Sequence, residues 1–137
     1  MNTIIVPTAA QVIEVNRKIC EEQGNPHTVL NQGKIESALH TAFYPGSYPF
    51  AAGGIAKIAG AICFYLTQTH AFLDGNKRTG ALVAIAFMEL NGQELVYPEV
   101  EENENSALAN IVEKCAASEI QKEELMDWFE AHKKEIE

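Results

Sequence analysis

Hydrophobic positions are densest in the middle of the chain, in two runs separated by a short polar stretch. The first run, from Ile55 to Thr69, is hydrophobic nearly all round, which is typical of a helix buried at the centre of a fold. The second run, from Lys77 to Leu90, is also apolar on most faces and is followed by Asn91-Gly92, a common helix end. The pattern therefore predicts two central helices joined by a polar loop.

Two further helices are predicted before this central pair. Thr8 with Gln11 three residues later forms a capping box, which begins one helix, and Gly24 is a typical stop. A second helix is predicted from Gln32 to Thr41, where apolar side chains recur at helical spacing. The short β-branched segment 4–6 is interpreted as either a strand or an extended arm.

The chain after the central pair is also predicted to be mainly helical. Residues 94–97 are interpreted as a short extended piece that a proline stops. Asn105 or Ser106 opens another helix, and Ser118 with Gln121 is predicted to cap the last one. The whole pattern predicts an all-α fold, a compact bundle of about six helices with the polar loop at the N-terminus of a central helix.

Composition and charge narrow the class of protein. With 137 residues, of which 47% are hydrophobic, the chain is long and apolar enough for a single domain over residues 1–137. No apolar run reaches the roughly 18 residues of a membrane span, and the first residues lack a secretory signal pattern. Cys20, Cys63 and Cys115 lack metal-ligand spacing and are predicted to be reduced core thiols of a cytoplasmic protein. A formal charge of −9 argues against nucleic acid as the main partner.

The polar stretch between the central runs reads His70-Ala71-Phe72-Leu73-Asp74-Gly75-Asn76-Lys77-Arg78-Thr79-Gly80. It places an imidazole, a carboxylate, an amide and two adjacent cations ahead of an apolar helix. The free N–H groups and the positive dipole end of a helix N-terminus favour an anion at this point. The stretch therefore predicts a phosphate-binding site.

Each polar side chain in the stretch suits one part of phosphoryl or nucleotidyl transfer. The imidazole of His70 can take a proton from a hydroxyl near neutral pH, and the Asp74 carboxylate suits a hard cation such as Mg²⁺. Asn76, Lys77 and Arg78 offer phosphate oxygens an amide donor, a point charge and a planar fork. An ordinary solvated turn explains each residue taken alone, because Asp-Gly-Asn is common in turns. The complete set in this order favours a catalytic site.

A second segment of interest is the loop from Phe43 to Gly54, which contains two prolines, three glycines and four aromatic residues. Aromatic side chains exposed on a loop beside a pocket often bind a ligand or partner. The aromatic residues are therefore candidates for a groove that receives a ligand or a partner: Phe43, Tyr44, Tyr48 and Phe50. The alternative, weighted equally, is that these rings pack into the core and close the loop.

The polar stretch resembles the signature of the Fic/Doc superfamily, which is His-Pro-Phe-x-Asp/Glu-Gly-Asn followed by a variable residue and Arg. The matching positions are His70, Phe72, Asp74, Gly75, Asn76 and Arg78. Ala71 replaces the usual proline, which should affect only the rigidity of the loop entry. Adenylyl-transferring members usually have glycine where Lys77 stands and often a second arginine further on, which the next turn of this chain lacks. These departures resemble the Doc (death-on-curing) branch, the toxins of bacterial toxin–antitoxin pairs.

The resemblance implies the Fic/Doc fold and a transfer reaction that uses ATP and Mg²⁺. It assigns Mg²⁺ to Asp74, deprotonation of a target Ser or Thr hydroxyl to His70, and the triphosphate to Gly75, Asn76, Lys77 and Arg78. In the Doc branch, the residue at the position of Lys77 is associated with a reversed ATP whose γ-phosphate faces the base. The implied product is a phosphorylated protein, and the known target of the branch is the translation factor elongation factor Tu.

The resemblance also bears on partners and on alternative functions. Some Fic proteins carry an inhibitory pattern of Ser/Thr, three residues, Glu and then Gly or Asn, and these 137 residues do not contain it. Restraint by a separate small antitoxin of the Phd type is therefore expected, with an amphipathic helix bound in an apolar groove. Two alternatives stay open: an adenylyltransferase that uses the same base, and a non-catalytic module that only binds an antitoxin.

Overall fold

The computed structural model describes residues 4–43, 54–101 and 103–136. In these ranges there are six α-helices: α1 (Ala9–Gln23), α2 (Gln32–Phe43), α3 (Ile55–Gln68), α4 (Asn76–Leu90), α5 (Ala107–Ala116) and α6 (Lys122–Ala131). Two short strands, β1 (Gln93–Leu95) and β2 (Lys133–Glu135), pair antiparallel. The predicted all-α bundle of about six helices is confirmed.

Helix α3 lies at the centre of the bundle and packs against α2, α4, α5 and α6. Two glycines allow its closest approaches. A Cβ at Gly60 of α3 would lie 2.6 Å from the Cα of Met126 on α6. A Cβ at Gly80 of α4 would lie 3.0 Å from the Cys63 carbonyl oxygen on α3. The nearly all-apolar sequence of α3 therefore reflects burial on most sides, as predicted.

The predicted helix boundaries are confirmed at several ends. The Thr8 hydroxyl accepts a hydrogen bond from the Gln11 N–H while the Gln11 side chain accepts one from the Thr8 N–H, which completes the capping box of α1. Gly24 ends α1 in the left-handed conformation, with φ of 70°. Ser106 caps α5 by accepting a hydrogen bond from the Ala109 N–H.

The predicted cap of the last helix is wrong. Ser118 has a φ of 59° and lies in the turn between α5 and α6. Gln121 is instead the N-cap residue, and its capping box is completed by Glu124 rather than by a residue upstream. The pair Ser118 and Gln121 has the spacing of a capping box, but the chain is still in a turn at Ser118. The helix begins only after Gln121, which has the same spacing to Glu124.

The N-terminal segment is an extended arm rather than a strand. Ile5 donates its N–H to the Asn91 side-chain oxygen at 2.8 Å and accepts from the Asn91 amide at 2.9 Å. These bonds satisfy both backbone groups of Ile5 without a neighbouring strand. The sequence did not predict β2, which pairs with the extended piece that follows α4.

The three cysteines are buried and free, as predicted. Burial raises the pKa of each thiol, and Cys63 on α3 is wholly enclosed. Within the described ranges, no helix combines the length and the apolar character that a membrane crossing requires.

Candidate active site

The polar loop before α4 is held at its entry by a neighbouring segment of backbone. The carbonyl oxygen of Ala71 accepts hydrogen bonds from Leu30 N at 2.8 Å and Asn31 N at 3.2 Å, and Leu73 N donates to the Thr28 carbonyl oxygen at 3.0 Å. These bonds fix the loop although it lacks the usual proline. His70, immediately before the anchored residues, has a φ of 51° and is exposed. Such left-handed backbone is uncommon outside glycine and is found mainly where the surrounding structure imposes it.

Asn76 closes the loop on itself. Its side-chain oxygen accepts from Phe72 N at 3.1 Å, and its amide nitrogen donates to the Phe72 carbonyl oxygen at 2.9 Å. The sequence did not predict this bidentate contact, which makes Asn76 a residue that shapes the loop. Its second amide hydrogen remains a predicted donor to phosphate.

The predicted catalytic, metal-binding and phosphate-binding residues line one cleft with a volume of about 470 Å³, a size typical of ligand pockets. The cleft is lined by the motif residues His70, Leu73, Asp74, Gly75, Asn76, Lys77 and Arg78, together with Gln23, Thr67 and Ala116. A base, a carboxylate and two cations predicted from sequence are therefore adjacent in space.

The N-terminus of α4 opens into this cleft. Gly75 is the N-cap residue, with a φ of 78°, and the first intrahelical bond runs from Thr79 N to the Gly75 carbonyl oxygen at 2.9 Å. The N–H groups of residues 76–78 precede that bond, so they have no intrahelical partner. Free N–H groups and the positive end of the helix dipole make this a favourable position for a phosphate.

The two cations of the cleft are paired with carboxylates from other helices. Lys77 Nζ lies 2.7 Å from Glu113 Oε2 on α5. Arg78 Nη2 lies 3.9 Å from Glu22 Oε2 on α1. All four side chains are about half exposed or more. Exposed ion pairs of this kind contribute only about 0–1 kcal/mol, so a polyanionic ligand can displace the carboxylates.

The Asp74 carboxylate suits Mg²⁺ that is shared with a phosphate ligand. One of its oxygens, Oδ2, accepts a hydrogen bond from the Asn25 amide at 2.6 Å. Among the described residues, no group of three or more His, Cys, Asp or Glu side chains could hold a metal ion by itself. Mg²⁺ is commonly bound by one or two carboxylates together with substrate phosphates and water, and that is the chemistry this cleft offers.

Sequence reasoning missed Asn16, which is fully buried on α1 beside the cleft. Its amide nitrogen donates to the Asp74 carbonyl oxygen at 2.8 Å and to the Thr79 hydroxyl at 3.0 Å. Its side-chain oxygen lies 2.9 Å from His27 Nδ1. The available signal was a polar residue at helical spacing between the buried residues Val12 and Ile19.

The predicted aromatic groove lies mostly outside the described residues. Tyr44, Tyr48 and Phe50 fall in the range 44–53, so their prediction is untested. Phe43 is the last residue of α2, is 3% exposed and packs edge-on against Phe87 at a centroid distance of 5.2 Å. Its ring belongs to the core, as the alternative interpretation of this loop held, and its assignment to a binding groove is corrected.

The chain matches the protein-family model described as the Fic/DOC family over residues 7–88. Among curated proteins, no sequence matches the chain. The family match covers more than half of the chain and extends from the cap of α1 almost to the end of α4. It therefore spans the helices and the loop that build most of the cleft.

Proposed function

Because this chain belongs to the Fic/Doc family, whose members generally transfer a nucleotide monophosphate to proteins, we propose that it uses ATP to modify a protein hydroxyl. We propose further that the group it transfers is the γ-phosphate of ATP. The observation that carries the proposal is the cleft itself, in which His70, Asp74, Lys77 and Arg78 surround the N-terminus of α4.

In this proposal each residue has a defined part in the reaction. His70 accepts the proton of a target Ser or Thr hydroxyl while that oxygen forms a bond to the γ-phosphorus and the bond to the leaving ADP breaks. Lys77, Arg78 and the free N–H groups after Gly75 hold the phosphates in line for this attack. Asp74 would hold Mg²⁺, which neutralises phosphate charge when bound.

The choice of phosphoryl over adenylyl transfer depends on Lys77. Adenylylating members usually have glycine at this position, whereas here the Lys77 side chain lines the cleft and its amino group lies 2.7 Å from Glu113 Oε2 on α5. A long cationic side chain occupies space where the adenylylating pose places phosphates, which supports the reversed ATP. Transfer of AMP by the same base is the second candidate, and the general activity of the family favours it.

An experiment with ATP labelled at either the α- or the γ-phosphate distinguishes these two reactions. The purified protein is incubated with Mg²⁺ and each label in bacterial lysate, and the label on protein is measured after electrophoresis. We expect transfer above that of the lysate alone from the γ-label only, and a loss of nearly all of this excess with His70→Ala, which distinguishes the protein from kinases of the lysate. Transfer from the α-label would instead establish the adenylyltransferase.

A Lys77→Gly variant tests the role of that residue within the same assay. If Lys77 imposes the reversed ATP, its loss should lower γ-label transfer and allow α-label transfer. Glu113→Gln is the matched control, because it breaks the same ion pair but leaves the lysine in place. If both variants transfer the γ-label like the wild type, Lys77 does not determine the orientation.

We also propose that the enzyme is a toxin that acts on the translation machinery, with a factor such as elongation factor Tu as target, and that a small Phd-like antitoxin restrains it. Expression of the chain alone should then arrest bacterial growth, and co-expression of a small protein encoded beside it should relieve the arrest. Harmless expression of active, soluble protein, with no partner recovered by pull-down, would contradict the toxin role. A non-catalytic antitoxin-binding module predicts a recovered partner and no transfer of either label.

A further inference from the structure

Asn16 connects three parts of the molecule from a fully buried position. Through its amide nitrogen it bonds the backbone of Asp74, in the loop, and the hydroxyl of Thr79, in the first turn of α4. Through its side-chain oxygen it meets His27 Nδ1 at 2.9 Å and the Cys20 thiol at 3.6 Å. A buried amide with this many partners is costly to disturb, because each partner would lose a bond that water cannot replace.

We propose that Asn16, oriented by His27, is the positioning residue that sets the turn between the loop and α4. This inference rests on the proposed function and names a determinant of the same site. The two bonds of the amide nitrogen reach the residues on either side of the Gly75 turn, from which the free N–H groups emerge. Gly75 itself packs against Asn16, since a Cβ on it would lie 3.0 Å from the Asn16 amide nitrogen.

The chemistry of the contacts fixes the orientation of the Asn16 amide. The Asp74 carbonyl oxygen can only accept, so the nitrogen of Asn16 must face it and the oxygen must face His27. The Nδ1 of His27 must then carry the hydrogen of this contact. The His27 ring also lies near the loop, with its centroid 6.4 Å from that of Phe72. Removal of the His27 donor would leave the Asn16 oxygen only the longer contact with the Cys20 thiol, so the amide that holds Asp74 would be less firmly oriented.

Asn16→Ala tests the proposal, because its effect on kcat can be compared with that of a variant that lowers only the stability of the fold. We expect kcat for transfer to fall at least tenfold and the Mg²⁺ concentration at half-maximal activity to rise, because the Asp74 backbone is no longer held. Leu125→Ala is the matched control, since it removes an equally buried side chain on α6 and leaves the site intact. The kcat values are compared at a temperature where circular dichroism shows that both variants are folded. Equal kcat values would overturn the proposal.

Substitutions of His27 test the same idea if Asn16→Ala does not fold. In His27→Asn, the side-chain amide can donate from nearly the same place as Nδ1, so activity should stay within about threefold of wild type. His27→Leu keeps a similar volume without a donor and should lose about as much kcat as Asn16→Ala. If both His27 variants behave alike, His27 does not orient Asn16.

A measurement without turnover distinguishes failure of this inference from failure of the proposed function. In ¹⁵N NMR spectra of the free protein, His27 should show a protonated Nδ1. Asn16→Ala and His27→Leu should both shift the amide signals of Gly75 and Asn76, whereas Leu125→Ala should not. Unchanged loop signals would overturn the inference even if the enzyme is active, and shifted signals would support the positioning role even if no transfer from ATP is found.

Discussion

His70 combines the proposed catalytic group with an unfavourable backbone conformation. A non-glycine residue with φ of 51° costs roughly 1–2 kcal/mol relative to right-handed backbone. Hydrogen bonds that the backbone of Ala71 and Leu73 makes with the neighbouring segment hold the loop in place. These bonds offset the strain at His70. The imidazole position is therefore maintained at some cost in stability.

Two substitutions at His70 should separate its catalytic and conformational contributions. His70→Ala and His70→Gly both remove the imidazole, and each should lower transfer by about 10²–10⁴-fold, the usual contribution of a general base. Only glycine accepts the positive φ without strain, so His70→Gly should be more stable than His70→Ala by about 1 kcal/mol. Urea unfolding curves measure the difference. Equal stabilities would show that the left-handed backbone is not maintained in solution.

Asp74→Asn should affect Mg²⁺-dependent activity far more than stability. An asparagine oxygen can still accept the hydrogen bond from Asn25, so the free energy of unfolding should change by less than about 1 kcal/mol. The loss of the negative charge removes the ligand that Mg²⁺ prefers, and activity should recover only partly at high Mg²⁺. Titration of activity against Mg²⁺ measures this, and a curve like that of the wild type would assign Asp74 a purely structural role.

The motif residues were predictable from sequence because they are close together along the chain. His70, Asp74, Lys77 and Arg78 all lie within one loop and the first turn of one helix. Asn16, by contrast, reaches the site from α1, and nothing in local spacing indicates a contact with Asp74 58 residues away. Long-range hydrogen bonds of this kind depend on how the helices pack, which a hydrophobic pattern does not determine.

At the scale of helices, the central position of α3 depends on small residues as well as apolar ones. Gly60→Ala should lower the free energy of unfolding by about 1–3 kcal/mol, because its Cβ would lie 2.6 Å from the backbone of α6, which cannot move locally. Gly33→Ala on α2 is the control, since the nearest atom is the flexible end of Asn31 at 3.2 Å. Thermal unfolding measures both, and equal effects would mean that α3 and α6 are not in close contact.

Helix existence was predictable, and some boundaries were not. The nearly all-apolar run of α3 and the capping box of Thr8 are strong signals, since each corresponds to one local physical cause. The last helix shows the limit of such signals. Both Ser118 and Gln121 precede a suitable partner three residues on, and only the path of the turn after α5 selects Gln121. Strand β2 was not predictable either, because its three residues are charged and exposed and show no alternation of apolar and polar positions.

At the scale of the whole molecule, the buried thiols should make stability depend on pH in alkaline solution. Burial raises the pKa of Cys63 above its ordinary value of 9.0, so on unfolding the thiol ionises more easily than in the folded chain. The stabilising contribution is fully present below about pH 9 and is lost as the pH rises further, with a slope of up to about 1.4 kcal/mol per pH unit for one thiol.

Comparison with Cys63→Ala isolates this effect from the titration of lysines and tyrosines, which both proteins share. Free energies of unfolding are measured in urea at about pH 8 and about pH 10 under reducing conditions. The wild type should lose more stability than the variant between these pH values. An identical loss in both proteins would show that Cys63 is accessible to solvent before unfolding.

The end of α4 that is remote from the cleft contacts two segments that are far apart in the sequence, one at Ile5 and one at Ile136. Asn91 bonds the backbone of Ile5, and the next residue, Gly92, accepts a hydrogen bond from Ile136 N at 2.9 Å. Helix α4 has 15 residues, so about 22 Å separates this point from the N-terminus that faces the cleft. A circularly permuted protein, with a short linker between residues 5 and 136 and new termini in the turn at Ser118, should build the same cleft.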